Sequence, residues 1–258
     1  MSEMQSFIQS CLLGAAAEIE KASKAGLKIK VKARNDWASS ADMAAEKFIV
    51  GRVGREYPDS IVLSEESYTQ SDMEADSLFV IDPIDGTHNF IAGIPLWGVS
   101  LAHYSGGKPT AGGIYLIPQK EMMYAERGKP ATSNGKRIRV SATRKLEDFF
   151  LLGDSRLHIA QEMGMLGSVV KIEAISQHTR FIGTAIYEMG YVACGRVDAM
   201  IDFKLKPYDF AAAAFIAQQA GGKVTDIEGK KWDLSTSRFV CSNGRQHQRI
   251  LGMLNGEK

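Results

Sequence analysis

The stretch Phe79–Phe90, FVIDPIDGTHNF, runs from apolar residues into two aspartates three positions apart, Asp82 and Asp85, with Gly86-Thr87 behind the second. Leu78–Ile81 reads as a short buried strand, and the Asp-Pro-x-Asp-Gly that stops it reads as a turn. Taken alone, the two acids are ordinary turn or helix-cap residues. Three further acidic points reinforce them: Glu65-Glu66 follow a second apolar run, Ile61–Leu63, Asp42 opens a helix in SSADMAAE, and Asp209 lies one turn into another in KPYDFAAAA. Carboxylates gathered without histidine or cysteine suit hard cations, and Mg²⁺ in particular takes a few carboxylates while keeping waters for a substrate phosphate. Two such ions about 4 Å apart clamp the attacking and leaving oxygens of a phosphoryl displacement. Pro83 stiffens the turn, Gly86 allows close approach of the main chain, and a helix starting near Thr87 would aim free N–H groups at an anion.

Spacing removes two rival sites. An EF-hand loop through Asp85 would need oxygen ligands at Pro83 and Ile81, which carry none. An aspartyl-phosphate phosphatase of the D-x-D-G-T kind would need its nucleophile two residues before Asp85, where the chain has Pro83.

Composition narrows the class. Against 31 Lys+Arg stand 30 Asp+Glu, a net charge of +1, so no nucleic-acid partner is expected. Cys11, Cys194 and Cys241 are scattered, which argues against zinc and against a disulfide framework. The N-terminal segment lacks a basic leader and a long apolar run, so a cytoplasmic chain with no membrane partner is expected. Apolar spacing predicts helices over 3–25, 42–57, 157–166, 184–194, 207–220 and 247–254. Strands are predicted at 61–63, 78–81, 149–152 and 197–201 and near 223 and 239, with an antiparallel meander over 97–125. The expected organisation is one layered α/β domain over 1–258, with an α+β lobe at 1–145 and an α/β lobe at 146–258 carrying Asp209.

The segments EES (Glu65–Ser67), IDPIDGTHNF (Ile81–Phe90) and KPYDFAAAAFIAQQAGG (Lys206–Gly222) resemble, in order and separation, the three signatures of the inositol monophosphatase family. NDWASSAD (Asn35–Asp42) is similar to its N-terminal segment, so the resemblance covers nearly the whole chain. It implies the αβαβα sandwich of the inositol monophosphatase and fructose-1,6-bisphosphatase type. It also implies a homodimer, sensitivity to lithium, two or three Mg²⁺ per subunit, and hydrolysis of a small phosphate monoester. Inositol monophosphate comes first, with fructose 1,6-bisphosphate, 3′-phosphoadenosine 5′-phosphate, NADP and histidinol phosphate as alternatives. A catalytically silent metal-binding regulatory protein is the reading from another class.

Residue by residue, the resemblance implies that Glu65, Asp82 and the Ile84 carbonyl hold one Mg²⁺, and that Asp82, Asp85 and Asp209 hold a second. Thr87 with Glu65 would orient and deprotonate the attacking water, with Asp42 supporting a third ion or the water network. The N–H groups of Gly86 and Thr87 would carry the phosphate. Asp202 stands seven residues before Asp209, where inositol-preferring members place a Glu that binds sugar hydroxyls. Gly183 and Thr184 read either as a backbone shelf for substrate or as a plain helix start, and Arg180 as a substrate or subunit contact or a solvated strand end. His88 reads as a surface residue beside the pocket entrance. Tyr208 and Ala213 depart from the family's Trp and Gly.

Overall fold

The computed structural model describes residues 1–33, 36–65, 73, 75–153 and 156–256. Asn35 and Glu66, singled out above, lie outside them. The chain opens with helix α1 (Glu3–Lys24), an antiparallel hairpin of β1 (Ile29–Ala33) and β2 (Asp36–Ser39), and helix α2 (Ser40–Glu56). Phe7, Ile8, Cys11, Leu12, Ala15 and Ile19 form the buried stripe of α1, the spacing read from sequence. Helix α2 starts two residues earlier than expected because Ser39 and Asp42 make a capping box across its first turn.

A seven-stranded sheet follows, ordered β3-β4-β5-β6-β7-β8-β9. Its strands are β3 (Ile61–Ser64), β4 (Ser77–Asp85), β5 (Gly98–Ser105), β6 (Lys108–Leu116), β7 (Glu121–Glu126), β8 (Thr132–Ser133) and β9 (Lys136–Arg137), with helix α3 (Thr87–Ala92) between β4 and β5. Only the β3–β4 pair is parallel, so the chain after β4 is the expected meander. Strand β4 is buried on both faces: Phe79 and Ile81 pack toward α1 and α2, while Leu78 and Val80 face the opposite core. That two-sided burial is why the stretch reads as a continuous apolar run.

The second half runs β10 (Phe150–Gly153), α4 (Leu157–Glu162), α5 (Leu166–Ile175), β11 (His178–Phe181), α6 (Ala185–Ala193), β12 (Ala199–Asp202), α7 (Pro207–Gln219), β13 (Lys223–Thr225), β14 (Phe239–Ser242) and α8 (His247–Leu254). Its sheet is ordered β11-β10-β12-β14-β13. The helix expected over 157–166 ends at Glu162, and a second helix that was not expected, α5, follows from Leu166. Gly164 adopts a φ of +70° and Met165 N–H bonds back to Ala160, which ends α4 and lets a new axis begin.

Layering follows from which side chains share a core. Helices α1 and α2 cover one face of the large sheet. Helices α6 and α7 fill the space between the two sheets, with Phe210, Phe215 and Ala211–Ala214 all buried. Helices α4, α5 and α8 cover the outer face of the small sheet through Ala160, Ile172, Ile250 and Leu254. The result is a five-layer αβαβα sandwich.

Candidate active site

The site forms where β4 breaks. The β4–β5 register shifts between Asp82 and Asp85, so the strand turns its last residues out of regular pairing. Gly86 then takes a φ of +87°, and a Cβ there would come 2.8 Å from the Leu96 carbonyl oxygen, so the turn admits only glycine without a shift. Helix α3 starts at Thr87, the helix start anticipated from sequence.

Thr87 Oγ1 lies 2.8 Å from the Ile84 carbonyl oxygen and 3.2 Å from Asp42 Oδ1. Asp42 is buried, and its Oδ2 accepts from the Ser39 N–H at 2.8 Å and the Ser39 hydroxyl at 2.6 Å. The hydroxyl expected to act with Glu65 thus contacts Asp42 and the Ile84 carbonyl, the main-chain oxygen expected as a ligand. Across the chain, Asp85 Oδ2 accepts from the Thr184 hydroxyl at 2.9 Å and the Ile186 N–H at 2.7 Å. Thr184 thus spends its hydroxyl on Asp85 and not on capping its own helix. Asn89 Nδ2 adds a second tie, donating to the carbonyls of Leu96 at 2.8 Å and Ile182 at 2.9 Å. Asp209 sits in the first turn of α7 and accepts from the Lys206 N–H at 2.7 Å. Glu65 follows β3, half-buried.

These acids share one electrostatic problem. Burial, and then the charges of Asp85, Glu65, Asp209 and Asp42, push the Asp82 carboxyl well above the usual range. Burial first and Asp85 next raise Asp209 likewise. Burial lifts Asp85 to about 6 against the pull of its hydrogen bonds and of Arg156. Asp42 is raised by burial, partly offset by Ser39 and Thr87. Asp82 is 2% exposed, and its Oδ1 is buried with no hydrogen-bond partner. An anionic oxygen without a donor in such a place is costly unless a cation meets it. Among the described residues no three His, Cys, Asp or Glu side chains close around one point as a finished cage. The acids stand within electrostatic reach of one another. An all-oxygen donor set with an orphaned carboxylate oxygen and a main-chain carbonyl fits Mg²⁺.

A cleft of about 370 Å³ opens from these acids, lined among others by Asp85, Asp209, Thr184 and Gly183. Asp202 reaches it too, but its carboxylate is taken: Arg156 Nη2 lies 3.0 Å from Oδ1 and 3.1 Å from Oδ2, and the Lys204 N–H donates at 2.7 Å. His88 lines the cleft and stacks edge-on against Trp37 of the hairpin, ring centroids 4.9 Å apart, so it is part of the entrance. Arg180 points elsewhere, over the Phe150 ring at 5.4 Å. Arg156, His158 and Glu188 line the cleft and were not singled out from sequence. For Arg156 and His158 the available signal was the sequence Ser-Arg-Leu-His at 155–158, and nothing in it names a partner.

Comparison with known proteins gives a consistent answer. Residues 1–257 match the sequence profile of the inositol monophosphatase family. A Thermotoga maritima protein named fructose-1,6-bisphosphatase/inositol-1-monophosphatase is 33% identical over 221 residues, covering 85% of this chain and 83% of that one. Nus factor SuhB of Escherichia coli is 33% identical over 227 residues, 88% of this chain and 85% of that one. A crystal structure of an IMPase/NADP phosphatase complexed with Mg²⁺ and phosphate superposes with a TM-score of 0.89 at 26% identity, covering 98% of this chain and 95% of that one. The family profile, the relatives and the shared five-layer architecture agree, and the chain belongs to the inositol monophosphatase family.

Proposed function

We propose that the chain hydrolyses small phosphate monoesters with Mg²⁺ held between its two halves. The observation that carries this is the buried, partnerless Asp82 Oδ1 among carboxylates that raise one another's pKa. Glu65, Asp82 and the Ile84 carbonyl would form one cation position, and Asp82, Asp85 and Asp209 another. Bound Mg²⁺ would supply charge neutralisation at the phosphoryl oxygens and activation of water. The chain's own residues do the rest. Thr87, fixed between Asp42 and the Ile84 carbonyl, would offer its hydroxyl to an attacking water, and Glu65 with Asp42 would take its proton. The N–H groups of Gly86 and Thr87 at the start of α3 would bind the phosphate. Asp85, held by Thr184 and Ile186, keeps the lobe bearing Asp209 in register with β4.

The test is phosphate release from a panel of monoesters with Mg²⁺, with and without EDTA, in the wild type and in Asp82→Asn. We expect EDTA-sensitive turnover that Asp82→Asn lowers by at least about a thousandfold while the variant stays folded. Undiminished turnover in that variant sinks the assignment. The reading carries one domain over 1–258 in a homodimer, checked by proteolysis and light scattering. The likeness to Nus factor SuhB favours a second reading, a regulatory role for the same fold. Calorimetric Mg²⁺ binding with no phosphate release from any ester would favour it.

A further inference from the structure

The cleft presents a cation where the family resemblance implied an acid. Asp202 stands where a polyol hydroxyl would look for an acceptor, yet its side chain is only 5% exposed, while that of Arg156 above it is 36% exposed. Both Asp202 oxygens already receive Arg156 Nη2, and Oδ1 receives the Lys204 N–H as well. An incoming hydroxyl therefore meets a carboxylate beneath a guanidinium and occupied by stronger, charge-assisted donors. The guanidinium faces the same cleft as Asp85 and Asp209, and its charge is felt at Asp85, so it acts within reach of the reacting centre. His158 and His88 stand along the same lining and add no negative charge, while Glu188, the remaining acid of the lining, is buried at 1% exposure. A planar guanidinium, always charged and poorly hydrated, pairs with phosphate or carboxylate far better than with a neutral hydroxyl.

We infer that Arg156, seated on Asp202, is the specificity-determining residue of this cleft and selects phosphate monoesters that carry a second anionic group over esters of uncharged polyols. This rests on the phosphatase reading and narrows it. Arg156 plays no part in the bond-breaking step; it places the distal end of the substrate. The structural alternative is that Arg156 only neutralises a buried aspartate. Removing Arg156 alone would leave Asp202 buried and uncompensated, so the decisive variant removes both charges, Arg156→Gln/Asp202→Asn, with Arg156→Lys as the conservative companion.

Three probes separate the possibilities: inositol 1-phosphate with an uncharged polyol, fructose 1,6-bisphosphate with a second phosphate, and 6-phosphogluconate with a carboxylate. For the wild type we expect kcat/KM at least about tenfold higher on one or both doubly anionic probes, and their ranking tells phosphate from carboxylate. In the double variant KM for the preferred probe should rise about 10- to 100-fold, the range one charge-assisted hydrogen bond is worth. There kcat should change little, and inositol 1-phosphate should be unaffected or improved. Arg156→Lys should retain part of the preference. A wild type that favours inositol 1-phosphate, or a double variant that keeps the anionic preference, overturns the inference and leaves the phosphatase reading intact. If no probe is hydrolysed the phosphatase reading fails instead, and calorimetric binding of the same three probes with Mg²⁺ then decides. Tighter binding of a doubly anionic probe that is lost in the double variant supports the role of Arg156, and equal binding refutes it.

Discussion

Replacing Asp85 with asparagine should make the metal-free protein more stable while abolishing its response to Mg²⁺. Asp85 is 8% exposed, and burial raises its carboxyl from 3.8 to about 6, so keeping it ionised above pH 6 costs the folded state about 3 kcal/mol. Thr184 Oγ1 and Ile186 N–H both donate to Oδ2. An amide oxygen placed there keeps both contacts and carries no charge. The sign follows from the raised value: the penalty is absent below pH 3.8, grows through that interval and is complete above 6. Denaturation in EDTA at pH 8 should therefore show Asp85→Asn more stable by about 1–3 kcal/mol, or roughly 2–12 °C in Tm for a chain of this size. At pH 5 the gain should fall to roughly half. Adding Mg²⁺ should raise the Tm of the wild type, because a ligand bound only to the native state stabilises it, and should move the variant far less. A variant less stable than wild type at pH 8 in EDTA, or one whose advantage is the same at both pH values, would refute the argument that this carboxylate is held under electrostatic strain.

Two further outcomes test the frame around the site. His247 is fully buried between the Thr225 and Ser242 hydroxyls, and burial lowers it to about 4, so its unfolded form takes a proton first as pH falls. Stability linked to it is complete above about 6.5 and is lost on acidification through 4, up to about 3 kcal/mol; His247→Gln should flatten that part of the pH–stability curve, and an unchanged slope would count against the linkage. Asn89→Ala leaves the Leu96 and Ile182 carbonyls without their amide donor and should lower the urea midpoint by an amount worth about 1–3 kcal/mol, with an unshifted midpoint excluding Asn89 as a tie between the halves.

Periodicity alone located most elements, because their burial is one-sided or two-sided in simple ways. The stripe of α1, the apolar run of β4, the meander and the alanine-rich α7 each face cores that demand those patterns. The hairpin of β1 and β2 escaped because it projects from the core: Ile29, Val31 and Trp37 are exposed, so no burial pattern marks it. Helix α5 was missed because its apolar residues continue those of α4 and only the turn at Gly164 separates the two axes. In the site, the acids declared themselves as negative charge at the ends of apolar segments, where folding an unpaired carboxylate is expensive.

Which groups meet across the fold was decided by tertiary structure. Thr184 reads locally as a helix start, yet its hydroxyl goes to Asp85, 99 positions away in the chain. Asp202 reads locally as an acid available to a sugar, yet Arg156 from another strand end covers it. The sequence by itself determined the layered α/β class and the set of carboxylates, since both follow from local pattern and from the cost of burying charge. Only the fold decided their partners and the charge the cleft shows to a substrate, because hydrogen bonds and ion pairs depend on distances between strand ends that chain separation does not encode.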